Sequence, residues 1–376
     1  MNTDYYAQLL AQQYGFAPPL SLKTIGNGHI NTTMLLGHRD GSVVVQKLNT
    51  QVFPEPEKLV ANARKIEQHL MQKHQASQYD LEVIKHVPTL EGSYLLSTDG
   101  EHWRALEFIG NSRSEEVVRS PLQAQVAASA FGRFAAALQD FDAESLYPVI
   151  KDFHNLAMRM DMLEQAVQAD KLGRVKDVQQ QLDFCREQAF LIDEVVTVTA
   201  QIPLRPCHND TKINNMLFSD KQGTSEPKAA PVAAPAAAPA AAPAAKAVID
   251  LDTCMPGYWL FDFGDMVRTF CSPEEEDSIN LANVRVREEI FAALVKGYIE
   301  PLKAHITAEE KASFWLGARV MPFMIGVRFL TDYIDGDHYF SIKHGRHNLD
   351  RANNQFALYR SVLAQQKRLK SLIDNA

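Results

Sequence analysis

Two short polar segments most constrain what this chain can fold into. His208–Asn215 reads His-Asn-Asp-Thr-Lys-Ile-Asn-Asn, and Val248–Asp252 reads Val-Ile-Asp-Leu-Asp. Phosphoryl transfer requires that a hydroxyl group is oriented, that magnesium is held on the phosphates, and that the developing charge is offset. Asp210, Asn215 and Asp250 supply one carboxylate for the hydroxyl and two oxygen ligands for the metal. The two segments therefore predict a phosphoryl-transfer centre.

The spacing of the first segment matches the catalytic loop of protein kinases, H-R-D-L-x-x-x-N. His208, Asp210 and Asn215 occupy the His, Asp and Asn positions, and Lys212 follows where a cation can steady the moving phosphoryl group. Asn209 replaces the arginine, which makes control through a phosphorylated activation loop doubtful. The predicted catalytic residues are Asp210, Lys212 and His208, and Asn215 is a predicted metal ligand.

The second metal ligand has two candidates. A literal Asp-Phe-Gly occurs at Asp262–Gly264, but this segment resembles a turn that enters a helix, with Asp265 near the helix start, where negative charge is favoured. Asp250 instead follows the apolar run 247–249, whose β-branched Val248 and Ile249 favour a strand paired with the strand after the catalytic loop. We therefore assign the metal to Asp250 and a bracing role to Asp262. Asp252 is either a second ligand or a solvated neighbour.

A low-complexity insert, residues 226–246, separates the two polar segments. Four prolines recur at every fourth position among alanines and valines: Pro231, Pro235, Pro239 and Pro243. Each proline inside a helix costs about 3 kcal/mol, which overrules the helix preference of alanine. The composition predicts a flexible, semi-extended tether within a surface hairpin.

Composition limits the class of protein. The 376 residues are 46% hydrophobic, enough for a large core and two lobes, and the net charge of −8 argues against nucleic acid or an anionic membrane as a partner. The sequence contains no stretch of about 18 apolar residues and does not begin with a secretory signal. The four cysteines lack metal-ligand spacing, so we expect a cytoplasmic protein with reduced thiols.

The first hundred residues predict a nucleotide-binding lobe. Gly26 and Gly28 begin a hairpin, where backbone amides can approach phosphate oxygens without obstruction by side chains. Asn31 and Thr32 add candidate phosphate contacts. The loop precedes a strand, a helix and the distant catalytic loop, which is the order of parts in kinases.

The strand 42–49 occupies the place of the lysine that grips phosphate in kinases. Side chains alternate along a strand, so Gln46 and Lys47 cannot both face a nucleotide. Charge favours Lys47, whereas alignment of the preceding valines favours Gln46; we select Lys47. Glu57 or Glu67, on the following helix, is a candidate partner for this lysine, although a solvated position is the default for both.

A crossover to the second lobe is predicted near residue 110. The segment 103–110 is a strand that runs into a polar break, and a nucleotide base would bond to backbone there. Glu107, through its carbonyl, and Ile109, through its amide, are the candidates. Helical patterns follow at 122–138, 157–200 and 285–376. The predicted fold is α+β, protein-kinase-like and bilobal, with a small β-rich lobe at 1–110 and a large helical lobe at 111–376.

The chain resembles the aminoglycoside phosphotransferase and choline kinase superfamily, and within it the bacterial N-acetylhexosamine 1-kinases. The resemblance lies in residues 208–218, 248–257, 262–265, 328–339 and 348–352. It implies phosphorylation of the anomeric hydroxyl of N-acetylglucosamine or N-acetylgalactosamine by ATP and Mg²⁺. It also implies that Asp210 is the base, that Asn215 and Asp250 hold the metal, and that Arg328 and Tyr339 contact the sugar.

Two alternatives remain open at this point. The first is a kinase for a cationic acceptor, such as an aminoglycoside or an amino alcohol, for which Asp332, Asp335 and Asp337 would provide an acidic pocket. The second is a pseudokinase that binds partners, against which the intact set of Asp210, Asn215 and Asp250 argues. The sequence leaves the oligomeric state open.

Overall fold

A computed structural model describes residues 2–25, 30–220 and 242–376. The strands are β1 (Ser21–Thr24), β2 (Thr32–His38), β3 (Gly41–Lys47), β4 (His86–Val87), β5 (Leu96–Thr98), β6 (Glu101–Glu107), β7 (Ser112–Arg113), β8 (Arg205–Cys207), β9 (Met216–Ser219), β10 (Ala245–Val248) and β11 (Met255–Gly257). The helices are α1 (Thr3–Tyr14), α2 (Pro56–Gln75), α3 (Pro121–Ala137), α4 (Leu156–Ala169), α5 (Gln179–Glu187), α6 (Leu191–Thr199), α7 (Trp259–Phe270), α8 (Glu288–Leu302), α9 (Ala308–Asp335), α10 (His347–Ala364) and α11 (Gln366–Asp374).

The chain divides into two compact units. The first comprises Met1–Ser114, Leu146–Ile150 and Leu217–Cys254, and the second comprises Glu115–Ser145, Lys151–Met216 and Met255–Ala376. The first unit thus contains two segments from the part of the chain that the sequence analysis assigns to the second lobe. Asp250 belongs to the first unit, and Asp210 and Asn215 belong to the second.

The sheet of the first unit has the strand order β1-β2-β3-β6-β4, with β5 also paired to β6. Its pairs are antiparallel, and β3 lies in register with β6 so that Gln46 is opposite Arg104. Val43 and Val45 point to one face, where they pack with Leu10 and Tyr14 of α1 in a buried cluster. The alternation along β3 therefore places Gln46 on the opposite face of the sheet.

A second sheet has the order β10-β9-β7. It confirms the predicted pairing of the strand before Asp250 with the strand after the catalytic loop. Ala245 and Lys246, which the sequence analysis places in the flexible insert, belong to β10, so the insert is predicted two residues too long. Residues 226–241 of the insert lie outside the described ranges.

The second unit is helical, and its central helices cross at glycines. Gly264 of α7 meets the carbonyl of Gly317 on α9, and Gly317 meets the carbonyl of Leu260. The rings of Phe263 and Phe314 stack beside this crossing with centroids 4.6 Å apart. This close approach fixes the position of α7, the helix that contains Asp262, against α9.

The predicted α+β class, with a β-rich N-terminal region and a helical C-terminal region, is confirmed, but some helix bounds differ. The predicted helix at 122–138 is α3. The stretch 157–200 forms three helices, α4, α5 and α6, and residues 285–287 precede α8 instead of beginning it. In the described part of the chain, no helix is long and apolar enough to cross a membrane.

The glycine crossing gives a stability prediction. In Gly317→Ala, the new methyl group would overlap the Leu260 carbonyl, and a backbone atom cannot move aside easily. We expect destabilisation by about 1–3 kcal/mol, despite a gain of up to about 1 kcal/mol in helix propensity. The melting temperature measures this, with Gly345→Ala as the control because a methyl group there meets no atom within 4 Å. Equal melting temperatures for the two variants would contradict the proposed close packing.

Candidate active site

The loop 208–215 begins where β8 ends. β8 pairs with β11, and Cys207 is opposite Met255 in the register. Because β8 is only three residues long, the strand pair alone cannot hold the loop. The loop obtains most of its support from α7.

Asp262, in the first turn of α7, binds the loop backbone with both carboxylate oxygens. The amide of His208 donates to Oδ2 at 3.0 Å, and the amide of Asn209 donates to Oδ1 at 2.7 Å. The Thr211 hydroxyl donates to the Asp262 carbonyl at 2.7 Å. Asp262 therefore has the bracing contacts that the sequence analysis assigns to it.

His208 and Asn209 lie inside the second unit. His208 is fully buried, and its ring packs edge-on against Phe131 and Phe134, 5.4 and 5.7 Å between centroids. The His208 Nδ1 accepts from the amide of Asp210 at 3.3 Å. Asn209 adopts a left-handed conformation, φ 63°, which turns the chain sharply before Asp210. These contacts give His208, a predicted catalytic residue, a supporting position in the loop.

Asp210, Lys212 and Asn215 come together at the tip of the loop. The ammonium of Lys212 is 3.1 Å from Oδ1 of Asp210. The side-chain nitrogen of Asn215, Nδ2, donates to Oδ2 of Asp210 at 3.0 Å and to the backbone carbonyl of Asp210 at 2.9 Å. The Asp210 side chain remains 24% exposed, so a substrate hydroxyl can still reach it.

The charges of Asp210 and Lys212 support each other. Burial alone would raise the pKa of Asp210, but the charge and hydrogen bond of Lys212, together with the charges of His208 and Arg268, outweigh it, and the pKa lies below its usual range. Burial would lower the pKa of Lys212, but Asp210 and Asp265 raise it above its usual range. Both side chains therefore stay ionised across neutral pH, and Asp210 acts first as an acceptor that orients a hydroxyl.

Asp265 differs from the prediction. It lies in the middle of α7 instead of near the helix start, because the helix already begins at Trp259. It is buried and accepts from Nε and Nη2 of Arg268 at 2.9 and 2.8 Å. Arg268 also pairs with Glu276. Sequence reasoning missed this charged group near Lys212, although the spacing of Asp265 and Arg268 by three residues on a helix was a usable signal.

The two predicted metal ligands offer oxygen atoms. Asn215 uses its amide nitrogen toward Asp210, so its amide oxygen is the atom that can face a cation. Asp250 is exposed at the turn after β10, with φ 62°. Mg²⁺ prefers oxygen ligands and commonly takes one or two carboxylates together with substrate phosphates. Each of these side chains therefore offers an oxygen of the kind that magnesium prefers, although the described residues contain no group of three or more His, Cys, Asp or Glu side chains that could hold a metal.

Asp252 is neither solvated nor isolated. It is 4% exposed, pairs with Arg104 of β6, and accepts from the amide nitrogen of Asn31 at 2.5 Å. The Asn31 side-chain oxygen accepts from the amide of Asn49 at 2.8 Å. The predicted phosphate-contact residue Asn31 thus connects β3 to the turn after Asp250.

Lys47 lies on the other face of β3 from Arg104 and Asp252. Lys47 pairs with Glu101 on the face that carries α1, where Tyr6 also donates to Glu101 at 3.1 Å. Gln46 lies on the other face, and its Oε1 accepts from Nε of Arg104 at 2.8 Å. The structure therefore brings Gln46, and not the selected Lys47, to the side of Asp252.

Glu67, one of the two helix residues predicted to pair with the strand lysine, has other partners. Glu67 is buried on α2, where it pairs with Arg64 and accepts from the His86 amide and ring at 3.1 and 2.8 Å. Its solvated default position is therefore wrong. Glu57 is exposed in the first turn of α2.

The remaining nucleotide candidates lie along the first unit. Gly26 and Gly28 are outside the described residues. Thr32 is exposed at the start of β2. The Glu107 amide donates to the Lys85 carbonyl at 2.8 Å, and the Ile109 carbonyl accepts from the Ser112 hydroxyl at 2.6 Å. These two bonds use the Glu107 amide and the Ile109 carbonyl, whereas the predicted contacts to a base use the Glu107 carbonyl and the Ile109 amide.

Arg328 and Tyr339, the predicted sugar contacts, lie together in the second unit. A nitrogen of Arg328 is 3.5 Å from the Tyr339 hydroxyl. The Arg328 guanidinium also lies over three aromatic rings, 5.2 Å from Phe153, 5.6 Å from Tyr339 and 5.5 Å from Phe340. The Tyr339 side chain is half-exposed. A cationic, aromatic surface of this kind can stack on an apolar ring face and donate to oxygen atoms.

The three aspartates near this surface already have partners. Asp332 accepts from the amides of His338, Tyr339 and Phe340 at 2.8–3.0 Å and from the side chain of Asn348 at 2.9 Å. Asp337 pairs with Arg174 at 2.6 Å, and Asp335 pairs with Lys171 at 2.6 Å. Asp332 and Asp337 are buried with these partners, and Asp335 lies in a more exposed ion pair, so none of the three is an unpaired acidic side chain at this surface.

Asp262 gives a prediction about pH. Burial raises its pKa to about 7, although the two loop amides oppose the shift. A folded-state pKa above the unfolded value means that the protonated carboxyl stabilises the fold below the unfolded pKa, and this stabilisation is lost as pH rises through 7. The melting temperature of the wild type relative to Asp262→Asn should therefore fall between pH 5 and pH 7 and level off above it. A difference that stays constant from pH 5 to pH 8 would contradict the raised pKa.

Comparison with known proteins agrees with this geometry. A family model described as the phosphotransferase enzyme family matches residues 21–225, more than half of the chain. Three solved structures share the fold at low identity. An aminopropanol kinase associated with a microcompartment has a TM-score of 0.54 and 16% identity, with 96% of this chain and 98% of that chain covered. An ethanolamine kinase from Plasmodium vivax has a TM-score of 0.55 and 14% identity, with 98% and 89% covered.

The third structure is a spectinomycin phosphotransferase in complex with ADP and spectinomycin. It has a TM-score of 0.52 and 12% identity, with 98% of this chain and 99% of that chain covered. At such identities the likeness establishes the fold, which confirms the predicted kinase-like architecture. The family match adds the chemistry: the chain belongs to the phosphotransferase enzyme family and is an enzyme that transfers a phosphoryl group to a hydroxyl acceptor.

Proposed function

We propose that this enzyme uses ATP and Mg²⁺ to phosphorylate the anomeric hydroxyl of an N-acetylhexosamine, N-acetylglucosamine or N-acetylgalactosamine. The products are the sugar 1-phosphate and ADP. The observation that carries the choice of a neutral acceptor is the environment of Arg328, where a cation lies among aromatic rings and the nearby aspartates are already paired.

The chemistry rests on the tip of the catalytic loop. Asp210 accepts a hydrogen bond from the anomeric hydroxyl and takes its proton as the new oxygen–phosphorus bond forms and the bond to the ADP oxygen breaks. Its lowered pKa favours orientation of the hydroxyl over early removal of the proton. Lys212, held 3.1 Å from Asp210, offsets negative charge on the transferring group.

Magnesium would supply charge neutralisation on the phosphates. Asn215, through its amide oxygen, and Asp250, through its carboxylate, are the residues we assign to it. Both assignments rest on the sequence pattern and on the oxygen atoms that these side chains offer. The proposed setting is the cytoplasm, with a small-molecule sugar as the partner and without nucleic acid or membrane.

Charge supports a neutral acceptor over a cationic one. Burial lowers the pKa of Arg159, and the positive charge of the nearby Arg328 lowers it further. Arg159 is held by the carbonyl groups of Asp152 and Phe153 at 3.3 and 3.0 Å. An ammonium group placed here would meet two positive charges, whereas a sugar offers hydroxyl and carbonyl oxygens to the same guanidinium groups.

An amino alcohol is the second candidate acceptor. It is favoured by the similar solved structures, two of which are described as an aminopropanol kinase and an ethanolamine kinase. Those relatives share only 14–16% identity with this chain, which is too low to transfer a substrate. The paired states of Asp332, Asp335 and Asp337 argue against this candidate.

The two acceptor classes are separated by one panel. With ATP and Mg²⁺, we expect turnover of N-acetylglucosamine or N-acetylgalactosamine, and little with ethanolamine, choline, aminopropanol or an aminoglycoside. The methyl glycoside of the best sugar is the matched control, because its anomeric oxygen is blocked. Phosphorus NMR of the product identifies the phosphorylated position. Faster turnover of an amino alcohol, or phosphorylation of the methyl glycoside, would refute the proposed acceptor.

The role of Asp210 has its own test. Asp210→Asn should lower kcat by roughly 10²-fold or more, because a positioned base typically contributes 10²–10⁴-fold. Asp161→Asn is the control, since Asp161 is exposed on α4 of the same unit. Binding of ADP, measured by calorimetry, should be similar in both variants. Full turnover by Asp210→Asn on the best acceptor would remove Asp210 from the mechanism.

A further inference from the structure

In the described part of the first unit, β3 and α2 do not form the ion pair that holds phosphate in protein kinases. In protein kinases, a lysine of the third strand pairs with a helix glutamate and contacts the phosphates. Here the strand residue on the relevant face is Gln46, and Lys47 faces α1. The buried helix glutamate, Glu67, pairs with Arg64 and His86. Neither half of the usual pair is available in its usual role.

A cation of the neighbouring strand lies beside Gln46 on the same face of the sheet. Arg104 of β6 lies directly opposite Gln46 in the register, on the face of the sheet away from α1. Its guanidinium is held at two points: Nε donates to Gln46 Oε1 at 2.8 Å, and Nη2 pairs with Asp252. Gln46 is fixed in turn, since its amide nitrogen donates to the Thr33 hydroxyl at 3.0 Å. The orientation of Arg104 is therefore set by neighbours on β2, β3 and the turn 251–253.

We propose that the Arg104–Asp252 pair replaces the strand lysine and helix glutamate, with Arg104 as the residue that holds nucleotide phosphate and Gln46 as its positioning residue. This inference rests on the proposed use of ATP. The two observed bonds use Nε and Nη2, so we assign Nη1 to a phosphate oxygen; because the Arg104 side chain is 3% exposed, that contact requires a small outward shift of its neighbours. Arginine suits this task because its planar guanidinium group can keep the bonds to Gln46 and Asp252 and still donate a further hydrogen bond.

Asp252 extends the role of the pair. It lies two residues after Asp250 and also accepts from Asn31 at 2.5 Å, at the end of the segment that enters β2. One carboxylate therefore ties the phosphate-holding cation to the turn that carries the predicted metal ligand and to the residue after the glycine-rich loop. Burial makes this arrangement stiff, because loss of either partner leaves a charge inside the protein without compensation.

The alternative is that the pair only holds the turn in place. The two roles predict different effects on ligands that differ in phosphate. A residue that touches phosphate affects ADP binding and leaves adenosine binding unchanged, whereas a purely structural residue affects both alike. Calorimetric titration of the full chain with ADP and with adenosine therefore separates the roles without any phosphoryl transfer.

Arg104→Gln should weaken ADP binding by about tenfold or more, the size expected for a lost charged hydrogen bond. Adenosine binding should not change. The matched control is Lys47→Gln, which removes a positive charge from the opposite face of β3 and should leave both affinities as they are. Equal weakening of ADP and adenosine in Arg104→Gln, or an ADP loss in Lys47→Gln as large as that in Arg104→Gln, would overturn the proposal.

Two further variants guard against misfolding. Arg104→Gln combined with Asp252→Asn removes both charges, so that no unpaired carboxylate stays buried. ADP binding in this double variant should be as weak as in Arg104→Gln. Arg104→Gln combined with Gln46→Lys returns the cation to the strand and should recover part of the ADP affinity. Failure of that recovery, together with normal ADP binding in the doubly neutral variant, would refute the role of Arg104.

The outcome also distinguishes this proposal from the proposed acceptor. ADP binding requires no acceptor, so an incorrect sugar assignment leaves the Arg104 result unaffected. If the wild type binds ADP and adenosine equally well, the phosphate-holding role is wrong even if a sugar kinase activity is found. If the wild type binds neither, the proposed use of ATP fails together with the role of Arg104.

Discussion

The second unit depends on the contact between Asp262 and the backbone of the catalytic loop. Two adjacent amides, those of His208 and Asn209, point at the two oxygens of one buried carboxylate. This bidentate contact fixes the sharp turn before Asp210, which a strand of three residues could not do alone. It requires α7 to sit close to the loop, and the crossing of Gly264 and Gly317 allows α7 to pack deeply enough. The chemistry at the loop tip is thus set by helix packing.

The same device recurs in both units: a buried aspartate collects several donors and thereby fixes a loop. Asp262 holds the catalytic loop, Asp332 collects three consecutive amides at 338–340, and Asp252 joins Arg104 to Asn31. Such donors offset the cost of burying a carboxyl group, although at Asp262 they offset it only in part and its pKa is raised to about 7. The consequence for function is that many acidic side chains of this chain of net charge −8 are unavailable to ligands.

The sequence was informative where spacing within a segment decides the outcome. The kinase-like loop, the helix at 121–137 and the strand before Asp250 follow from local patterns. The stretch 157–200 is helical as predicted, but its division into α4, α5 and α6 depends on turns that periodicity does not reveal. The pairing of Asp335 with Lys171 and of Asp337 with Arg174 was out of reach, since those partners are more than 150 residues apart in the chain. Tertiary contacts, and not local pattern, decide which charges remain for a ligand.

The choice between Gln46 and Lys47 could almost be made from the sequence alone. Charge favoured Lys47, but a strand has a period of two, so Lys47 shares a face with Val43 and Val45. Those valines pack under α1, and a nucleotide cannot lie on a face that a helix already covers. The helix at the start of the chain was therefore the missing signal: once it covers one face of the sheet, the alternation of side chains places Gln46 on the opposite face. A glutamine cannot offset phosphate charge, so the neighbouring strand must supply the cation, and Arg104 stands directly opposite.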